Sequence, residues 1–595
     1  MLPLLRCHHL ISAAPYSCDP EAPYRSADGS CNNLRYPEWG QSRRPFNRMP
    51  TQVAYGDGVN SPRTKSVVGG KSLPSARKVS TAVFRLSRSA DSSSTHTQMH
   101  MAWGQFIDHD ISLTPKPSSF NCCDSEGNIV RPTLGHQCFS IPVPDDDPFY
   151  SVSCLPLIRS DAVMAGDCNK LYREQINNLT PFLDAGIVYG STESEAKELR
   201  LFSGGKLRSG SDGILPVKPT GSQCGIPPSS PVQSCFLAGD KRVNEWTGMT
   251  ALHNTFLEEH NRIADFFYTK YVKLFPHWTG KHLDEEVYQK TRRILAAQIQ
   301  VIIYGEYIPV TLNSDTISEY DLRLGEPHYD PDLQPQALNE FATAAFRYGH
   351  SEIPFGLLPV DKEYNAEAPG LLSLVRLFHQ PVSFLDAGHD AITRGLVSAP
   401  ADKVNERFTT NIQDQLFKKS TRNKVGEDLL ALNIQRARDH ARDCGNACCR
   451  VARLQRLQTS VWITAAKSFE ELSDHNEKMK KSLSSVYKHV DDIDLFPGGI
   501  TETNLPGSLV GPVFSCIIAQ QFSILKKADR FWFENVDTYP HPFTAEQIHN
   551  LSQYTLAKVI CNNHDVETIP KKVFELQSSR VDCSEIPDLD LSIFL

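Results

Sequence analysis

Residues 103–110 constrain this chain more than any other stretch, because they place a histidine between two carboxylates. In an α-helix, Gln105, Asp108 and His109 lie on one face, at spacings of i, i+3 and i+4. Asp110 falls on a different face, so one helix could offer a polar trio to a pocket and a carboxylate to a cation. A solvated helix surface and a zinc site are the simpler interpretations, and partners elsewhere in the chain must decide between them.

Length, charge and the distribution of apolar residues exclude some classes of protein. The chain has 595 residues, 40% of them hydrophobic, which is enough to bury a large core. Its net charge of −8 at pH 7 argues against a nucleic-acid partner. No apolar run is long enough to span a bilayer, so the sequence predicts no transmembrane segment.

The cysteines indicate an oxidising compartment, because there are sixteen of them and several stand close together beside turn residues. The short-range disulfide candidates are Cys18 with Cys31, Cys224 with Cys235, and Cys561 with Cys583. Asn178 and Asn550 open glycosylation sequons. Residues 1–14 make a poor signal peptide, because Arg6 and its neighbours interrupt the apolar run. We therefore predict secretion mainly from the cysteines, with residues 1–17 as a leader or an incomplete N-terminus.

The spacing of apolar residues predicts helices and few strands. Helices are expected at about 96–112, in the later part of 236–275, at 282–310 and at 336–350, with further helices in 465–595. Residues 18–95 are rich in Pro, Ser, Gly and Arg, which is typical of an irregular arm over a core or of partial disorder. Few stretches alternate with period 2, and there is no sequence repeat.

Three further segments carry residue types used in catalysis or metal binding. In residues 180–186, hydroxyl, carbonyl and carboxylate oxygens alternate along a turn, as Ca²⁺ requires, although ordinary loops have similar compositions. Arg242 and Glu245 share a helix face, where an exposed ion pair is the simpler interpretation. His350 ends a helix after Gly349, so it could interact with the helix dipole or ligate a haem iron.

Together these segments resemble the animal haem peroxidases, the family that includes myeloperoxidase, lactoperoxidase and peroxinectin. The matching stretches are residues 103–110, 180–191, 236–245, 259–262, 346–350, 432–440 and 529–535. Several independent motifs in the same order are far more specific than any single one. The resemblance implies a mainly α fold, with one large helical haem-peroxidase domain over residues 18–595 and little β structure, whose irregular N-terminal arm is 18–95.

The resemblance also implies roles around a haem. His109 would be the distal base and Arg242 its partner, while Gln105 would line the distal pocket and order water or halide. His350 would ligate the haem iron and be oriented by Asn433. The remaining cofactor-binding residues would be Arg347, on a haem propionate, and Asp108 and Glu245, in ester bonds to haem methyl groups. The implied cofactor is therefore a haem b that is attached covalently through these two carboxylates.

A second cofactor, Ca²⁺, is implied beside the distal helix. The residues that match calcium ligands are Asp110, Thr180, Phe182 through its carbonyl, Asp184 and Gly186. Several family members carry a serine at the last of these positions, so water or a carbonyl would complete the shell here. Residues 441–466 also depart from the family pattern. The pairing of Cys444, Cys448 and Cys449 in that segment stays open.

The implied function is a peroxidase that reduces hydrogen peroxide and oxidises halide, thiocyanate or phenolic donors through a ferryl intermediate. Trp246 stands where myeloperoxidase has a methionine that makes a sulfonium link to haem. Tryptophan has no thioether and cannot form that bond, so we expect a less raised haem potential and chloride as a poor donor.

Two rival functions follow from the same residues. One is an adhesion or matrix protein that keeps the peroxidase fold with little or no turnover, which leaves a matrix or cell-surface partner open. The presence of both His109 and Arg242 argues against it. The other is a metallohydrolase built on Asp108, His109 and Asp110, which lacks a second histidine ligand on that helix. The physiological donor, the oligomeric state and proteolytic processing stay open.

Overall fold

Helices are the main regular secondary structure in the computed structural model of this protein. The structure describes residues 17–49, 54–87, 91–117, 120–124, 126–130, 137–166, 171–210, 213–218, 235–325, 328–368, 370–418, 426–441, 466–538 and 540–595. Within these ranges every sheet has only two strands. The prediction of a mainly α-helical fold with little β structure is therefore confirmed.

The helical elements run the length of the described chain. In order, helices α1 to α18 are Ala76–Val83, Gln98–Ile111, Gly186–Tyr189, Glu193–Leu199, Thr247–Leu274, Gly280–Ile302, Ile308–Thr311, Ser314–Glu319, Asn339–Thr343, Pro381–Ala387, His389–Ser398, Thr410–Gln413, Leu429–Asp439, Glu477–Val486, Leu495–Ile500, Pro512–Lys527, Ala545–Ser552 and Leu556–Asn563. The 3₁₀-helices are Lys241–Asn244, Ala345–Glu352, Leu374–Arg376, Val490–Asp492, Cys583–Glu585 and Leu591–Phe594, and Ile303–Tyr307 is a π-helix.

The strands are short. In order, β1 to β12 are Arg85–Ser87, Ser92–Thr97, Ile141–Pro142, Cys154–Leu155, Ala162–Gly166, Leu171–Gln175, Gly356–Leu357, Leu372–Ser373, Pro400–Asp402, Arg407–Thr409, Thr568–Pro570 and Arg580–Asp582. Strand β1 pairs with β10 in parallel. The antiparallel pairs are β2 with β9, β3 with β4, β5 with β6, β7 with β8, and β11 with β12.

One expected helix is shorter than predicted, and the structure shows where the helix expected within 236–275 begins. The segment at 336–350 breaks at Ala344, whose φ of −142° and ψ of −64° are not helical, so α9 gives way to the 3₁₀-helix that carries His350. The segment at 236–275 begins its α-helix only at Thr247, because Trp246 is extended, with φ −160° and ψ 162°. The break at Ala344 lies inside a stretch whose apolar spacing fits a continuous helix, so spacing alone could not locate it.

The apolar face of α2 fixes this helix in the core. Trp103 and Phe106 are fully buried, and their rings stack with centroids 5.3 Å apart. Phe106 also stacks on Phe256 of α5 at 5.3 Å. Burying one such side chain contributes roughly 1.5–3 kcal/mol. The opposite, polar face of α2 is thereby held towards a cavity.

The N-terminal arm is bound to distant parts of the chain. Arg25 donates to Asp529 Oδ2 at 3.0 Å, and Asn32 donates to the other oxygen of the same carboxylate at 2.7 Å. Further along, α1 packs on α13. In α1 the buried Arg77 donates to Asp428 at 2.8 Å. The arm is therefore part of the same core packing as the helices.

Disulfides fall in the arm, in the loops after α2 and near the C-terminus. They join Cys18 to Cys31, Cys122 to Cys138, Cys123 to Cys154, and Cys561 to Cys583. Cys224 lies outside the described residues, as do residues 1–16 and 442–465, so the expectations for those segments stay predictions. By length and composition the helical span Gly280–Thr311 could cross a membrane, but 78% of its most apolar window is buried inside the protein.

Candidate active site

A cavity of about 780 Å³ collects most of the residues that the sequence singled out. Its size falls within the range of about 300–1,000 Å³ found for ligand and cofactor sites. The predicted residues that line it are Gln105, Asp108, His109, Arg242, Glu245, Arg347 and His350, together with Trp246. Residues from α2, from the chain before α5 and from the 3₁₀-helix after α9 thus meet at one place.

Gln105 is held at both ends of its amide. Its Nε2 donates to Glu245 Oε2 at 2.9 Å, and its Oε1 accepts from Trp246 Nε1 at 2.7 Å. Burial raises the pKa of Glu245 to about 7, and the hydrogen bond from Gln105 opposes that rise. The amide therefore fixes the orientation of two neighbouring side chains at the cavity wall.

His109 combines burial with an unused ring nitrogen. Its Nδ1 is buried and makes no hydrogen bond within the described part of the chain, and it lies 4.0 Å from Asp240 Oδ1. Its Nε2 lies 3.8 Å from Glu245 Oε2, which lines the cavity. Burial, and then the charge of Arg242, hold the pKa of His109 well below its usual value. The imidazole is therefore neutral near pH 7.

Arg242 is fixed by Asp240, a residue to which the sequence argument gave no role. Arg242 Nε donates to Asp240 Oδ1 at 2.8 Å and its NH2 donates to Oδ2 at 2.9 Å. The same carboxylate caps the 3₁₀-helix by accepting from the Arg242 backbone N–H. Although burial opposes it, the charge of Arg242 lowers the pKa of Asp240. Its position two residues before an arginine was the available sequence signal.

Asp108 and Arg242 lie near each other at the cavity. Asp108 Oδ1 accepts from Ser112 Oγ at 2.9 Å, and Oδ2 lies 3.9 Å from Arg242 NH1. Burial raises the pKa of Asp108, while the charge of Arg242 lowers it. A partly desolvated carboxylate at a cavity wall suits either an ion pair or attachment to a bound group.

His350 reaches the cavity from the 3₁₀-helix and is backed by α13. Asn433 places its amide nitrogen 2.8 Å from His350 Nδ1, and its Oδ1 accepts from Arg347 NH1 at 2.6 Å. Burial lowers the pKa of His350 to about 3, so its imidazole is neutral. A metal-ligating histidine usually donates its second ring N–H to an oxygen, so ligation through Nε2 would require the Asn433 amide to present its oxygen to Nδ1.

A second group of predicted residues surrounds the other side of α2. Asp110 Oδ1 accepts from the Ile187 N–H at 2.9 Å, and Thr180 Oγ1 donates to the Asp184 carboxylate at 3.1 Å. The Gly186 N–H also donates to Asp184, at 3.0 Å. Phe182, the remaining predicted ligand, is fully buried in the same loop.

The donors of this second group fit a hard cation. Asp110 Oδ2 is buried and makes no hydrogen bond within the described ranges. Burial, and then the charge of Asp184, raise the pKa of Asp110 well above its usual value. Two buried carboxylates with hydroxyl and backbone oxygens nearby form the oxygen-rich set that Ca²⁺ prefers.

The geometry argues against the metallohydrolase. Asp110 bonds to the 184–187 loop, away from the cavity that Asp108 and His109 line. These three residues are not among the groups of the described chain that could hold one metal ion together. His100, the other histidine of α2, is buried against Glu352 and Thr311, at 2.8 and 3.1 Å.

Comparison of the sequence with known proteins agrees with this geometry. A family model described as animal haem peroxidase matches residues 24–574. A chorion peroxidase from Aedes aegypti is 35% identical over 93% of this chain and 68% of its own length. A peroxidasin homologue from Homo sapiens is 34% identical over 96% of this chain, which spans only 39% of that protein. A thyroid peroxidase from Sus scrofa is 32% identical, over 98% of this chain and 64% of its own length.

Solved structures share the fold. Peroxidase A from Dictyostelium discoideum superposes with a TM-score of 0.73 at 25% identity, covering 93% of this chain and 99% of that one. A fatty acid alpha-dioxygenase from Arabidopsis thaliana has a TM-score of 0.71 at 18% identity, over 95% of this chain and 85% of that one, which supports the fold alone. With the family match extending over most of its length, this chain belongs to the animal haem peroxidase family.

Proposed function

We propose that this chain is a haem peroxidase that reduces hydrogen peroxide and oxidises small anionic or phenolic donors. The observation that carries the proposal is that His109 and His350, from separate elements, line one cavity, with Arg242 beside His109. Bound in this cavity, haem iron would supply the redox chemistry with peroxide. The remaining steps concern what the protein's own residues do.

His109 would take a proton from peroxide at Nε2 and return it to the leaving oxygen. The nearby Asp240 carboxylate favours a proton on Nδ1, which leaves the lone pair on Nε2, the nitrogen near the cavity residue Glu245. The lowered pKa keeps this imidazole unprotonated, as a general base requires. Gln105 would help to order water or a halide at the same place.

Arg242 would stabilise negative charge that develops as the O–O bond breaks. Its guanidinium is held by two side-chain hydrogen bonds to Asp240 and donates to the His109 carbonyl at 3.3 Å. A cation fixed in advance in a buried site needs little reorganisation during the reaction. Asp240 is therefore proposed as the residue that positions both Arg242 and the His109 tautomer.

His350 would ligate the haem iron through Nε2, which requires the proton on Nδ1 and an acceptor for it. The Asn433 oxygen could accept that proton once its amide turns, but Arg347 occupies the oxygen here. If Arg347 moves to a haem propionate, the oxygen becomes available. Asp108 and Glu245, both at the cavity wall, are proposed to form the ester bonds to haem.

Calcium is proposed as the second cofactor, bound by Asp110, Thr180, Phe182, Asp184 and the region of Gly186. The support is the unpartnered oxygen of Asp110 beside a second buried carboxylate. Because Asp110 directly follows His109 in α2, an ion there would fix the helix that carries the base.

Secretion is proposed from the disulfides, which persist mainly in oxidising compartments. A matrix or cell-surface partner remains part of the proposal, because a peroxidasin homologue is among the relatives that the chain matches. The donors proposed for the active site are thiocyanate, iodide, bromide and phenols.

An absorption spectrum of the purified protein tests the central proposal. We expect a Soret band that shifts when hydrogen peroxide is added and returns when thiocyanate or a phenol follows. A Soret band that does not respond to peroxide would instead favour a peroxidase fold with little turnover. Absence of haem from protein made with ample haem supply would contradict the proposal.

A further inference from the structure

A second cluster of potential metal ligands lies outside the cavity, where α5, α11 and α18 meet. It consists of Glu258 in α5, His389 at the start of α11 and His564 directly after α18. One donor atom from each of the three lies within 4.8 Å of the others, and His389 Nδ1 is 3.8 Å from Glu258 Oε2. Nitrogen and oxygen ligands of zinc lie about 2.0–2.2 Å from the ion. Small side-chain rotations would bring these three donor atoms to that distance from one ion.

The hydrogen bonds of the two histidines already select ligating tautomers. Asp390 Oδ1 lies 2.9 Å from His564 Nδ1 and accepts its proton, which leaves the lone pair on Nε2, where the Thr255 hydroxyl lies at 2.9 Å. The Ala251 carbonyl lies 3.2 Å from His389 Nε2 and can only accept, so the lone pair of His389 is on Nδ1, which accepts from the Asn254 amide at 3.2 Å. A bound ion would replace these two neutral donors. Metal-ligating histidines are usually held in this way, by an oxygen on the other ring nitrogen.

The charges of the cluster favour a cation. Glu258 Oε2 is buried and makes no hydrogen bond within the described residues. Burial, and then the charge of Asp390, raise the pKa of Glu258 to about 8. The nearby cation Arg394 is engaged elsewhere, donating to the carbonyls of Val360 and Asp565 at 3.0 and 2.9 Å. Burial, and then His564, lower the pKa of His389, so its imidazole is neutral and able to ligate.

Another group of two histidines and a glutamate provides a contrast. Glu352 Oε1 lies 2.8 Å from His100 Nδ1 and 3.1 Å from His96 Nε2, and all three residues are fully buried. That carboxylate already has imidazole partners. At the first cluster, the side chains of Glu258 and His389 are 25% and 13% exposed, which gives an ion a route from solvent.

We propose that Glu258, His389 and His564 form a binding site for a divalent transition-metal ion of the zinc class, separate from the haem cavity. Two imidazoles and one carboxylate are a ligand set that zinc accepts, with water in the fourth position. The ion would join α5, which begins two residues after Glu245, to α11 and α18. Binding should therefore stabilise the packing of the helix that follows the active-site segment.

Zinc titration of the holoprotein tests this site. The buffer contains excess Ca²⁺, so that zinc does not occupy the proposed calcium site at Asp110 and residues 180–186. We expect one zinc ion per chain by calorimetry and a higher Tm. Glu258→Gln keeps the shape of the side chain and His389→Asn removes one imidazole, and each should weaken binding at least tenfold. The control His549→Gln, an exposed histidine elsewhere, should bind zinc as the wild type does.

Zinc K-edge X-ray absorption on the loaded protein gives a readout that does not depend on stability. Two imidazole nitrogens with oxygen ligands are expected in the wild type, and one fewer imidazole in His389→Asn. A variant that loses zinc binding counts as support only if its Soret band and far-UV circular dichroism match those of the wild type. Wild-type binding by both variants, sulfur ligation, or no zinc bound by the wild type would overturn the proposal.

Discussion

At the scale of single residues, the neutral, buried His109 is the group proposed to control the rate of the reaction with peroxide. Replacing it by alanine removes the imidazole that lies beside Arg242 in the cavity. General acid–base transfer typically contributes about 10²–10⁴-fold, so we expect His109→Ala to slow the reaction with peroxide by that factor. Stopped-flow absorption at the Soret band measures the rate directly.

The same experiment needs evidence that haem stays bound, because His109 lines the haem cavity. His350 and Asn433 are unchanged in this variant, so an intact ferric Soret band is expected. The exposed His282 provides a matched control, and His282→Ala should react at the wild-type rate. A near wild-type rate in His109→Ala would remove this histidine from the proposed role.

Trp246 sets the expected choice of donor. It is buried at the cavity, and its Nε1 donates to Gln105, so it packs at the site without a thioether to bond to haem. We expect at most two covalent links, from Asp108 and Glu245, and chlorination much slower than bromination at neutral pH. Mass spectrometry of haem peptides and a halide panel measure both. A third link, or chlorination as fast as bromination, would contradict the inference.

At the scale of elements, the sequence predicted helices whose positions depend on the local spacing of apolar residues. The position of α2 follows from residues at helical spacing, and the helix lies within the expected range. The break at Ala344 depends on packing around the 3₁₀-helix, which no local pattern records. Asp240 likewise gains its role only when Arg242 folds back onto its carboxylate.

Contacts between elements far apart in sequence account for the other features that the sequence did not predict. Asn433 reaches His350 from α13, and a family resemblance was needed to pair them. Glu258, His389 and His564 come from three helical segments far apart in sequence. No spacing rule connects such residues, so only the folded structure brings that cluster to notice.

Residues 180–186, the proposed calcium loop that leads into α3, give a prediction at the scale of elements. A Cβ at Gly186 would lie 3.2 Å from Asp184 Oδ1 and 3.5 Å from Asp110 Oδ1. Gly186→Ser would therefore add a hydroxyl beside both carboxylates, and we expect calcium to bind about 3- to 10-fold more tightly, because affinity follows ligand number. Competition with a fluorescent chelator on calcium-depleted protein measures the change.

The variant Gly186→Ala distinguishes the effect of the serine hydroxyl on calcium affinity from the effect of the added Cβ. That Cβ would also come within 3.2 Å of Ser191 Oγ, which must move slightly in either variant. Affinity should therefore stay the same or fall in Gly186→Ala and rise only in Gly186→Ser. Equal affinities of the two variants would mean that position 186 does not supply a ligand.

At the scale of the whole molecule, α2 connects the two proposed cofactor sites. Its cavity face carries His109, its apolar face packs on α5 through Phe106, and Asp110 faces the calcium loop. The N-terminal arm and the C-terminal helices are tied together around this core, for example by Arg25 and Asp529. A change at the calcium loop should therefore reach the catalytic base through a rigid helix.

Calcium removal should accordingly lower both stability and activity. An ion bound only by the native state, at 100 times its Kd, adds about 2.7 kcal/mol to the free energy of unfolding. Without it, the buried carboxylates of Asp110 and Asp184 face each other uncompensated, which should loosen the end of α2 and displace His109. Prolonged chelation should lower Tm and slow the reaction with peroxide, and added Ca²⁺ should restore both. If verified metal loss changes neither, residues 180–186 are only a loop.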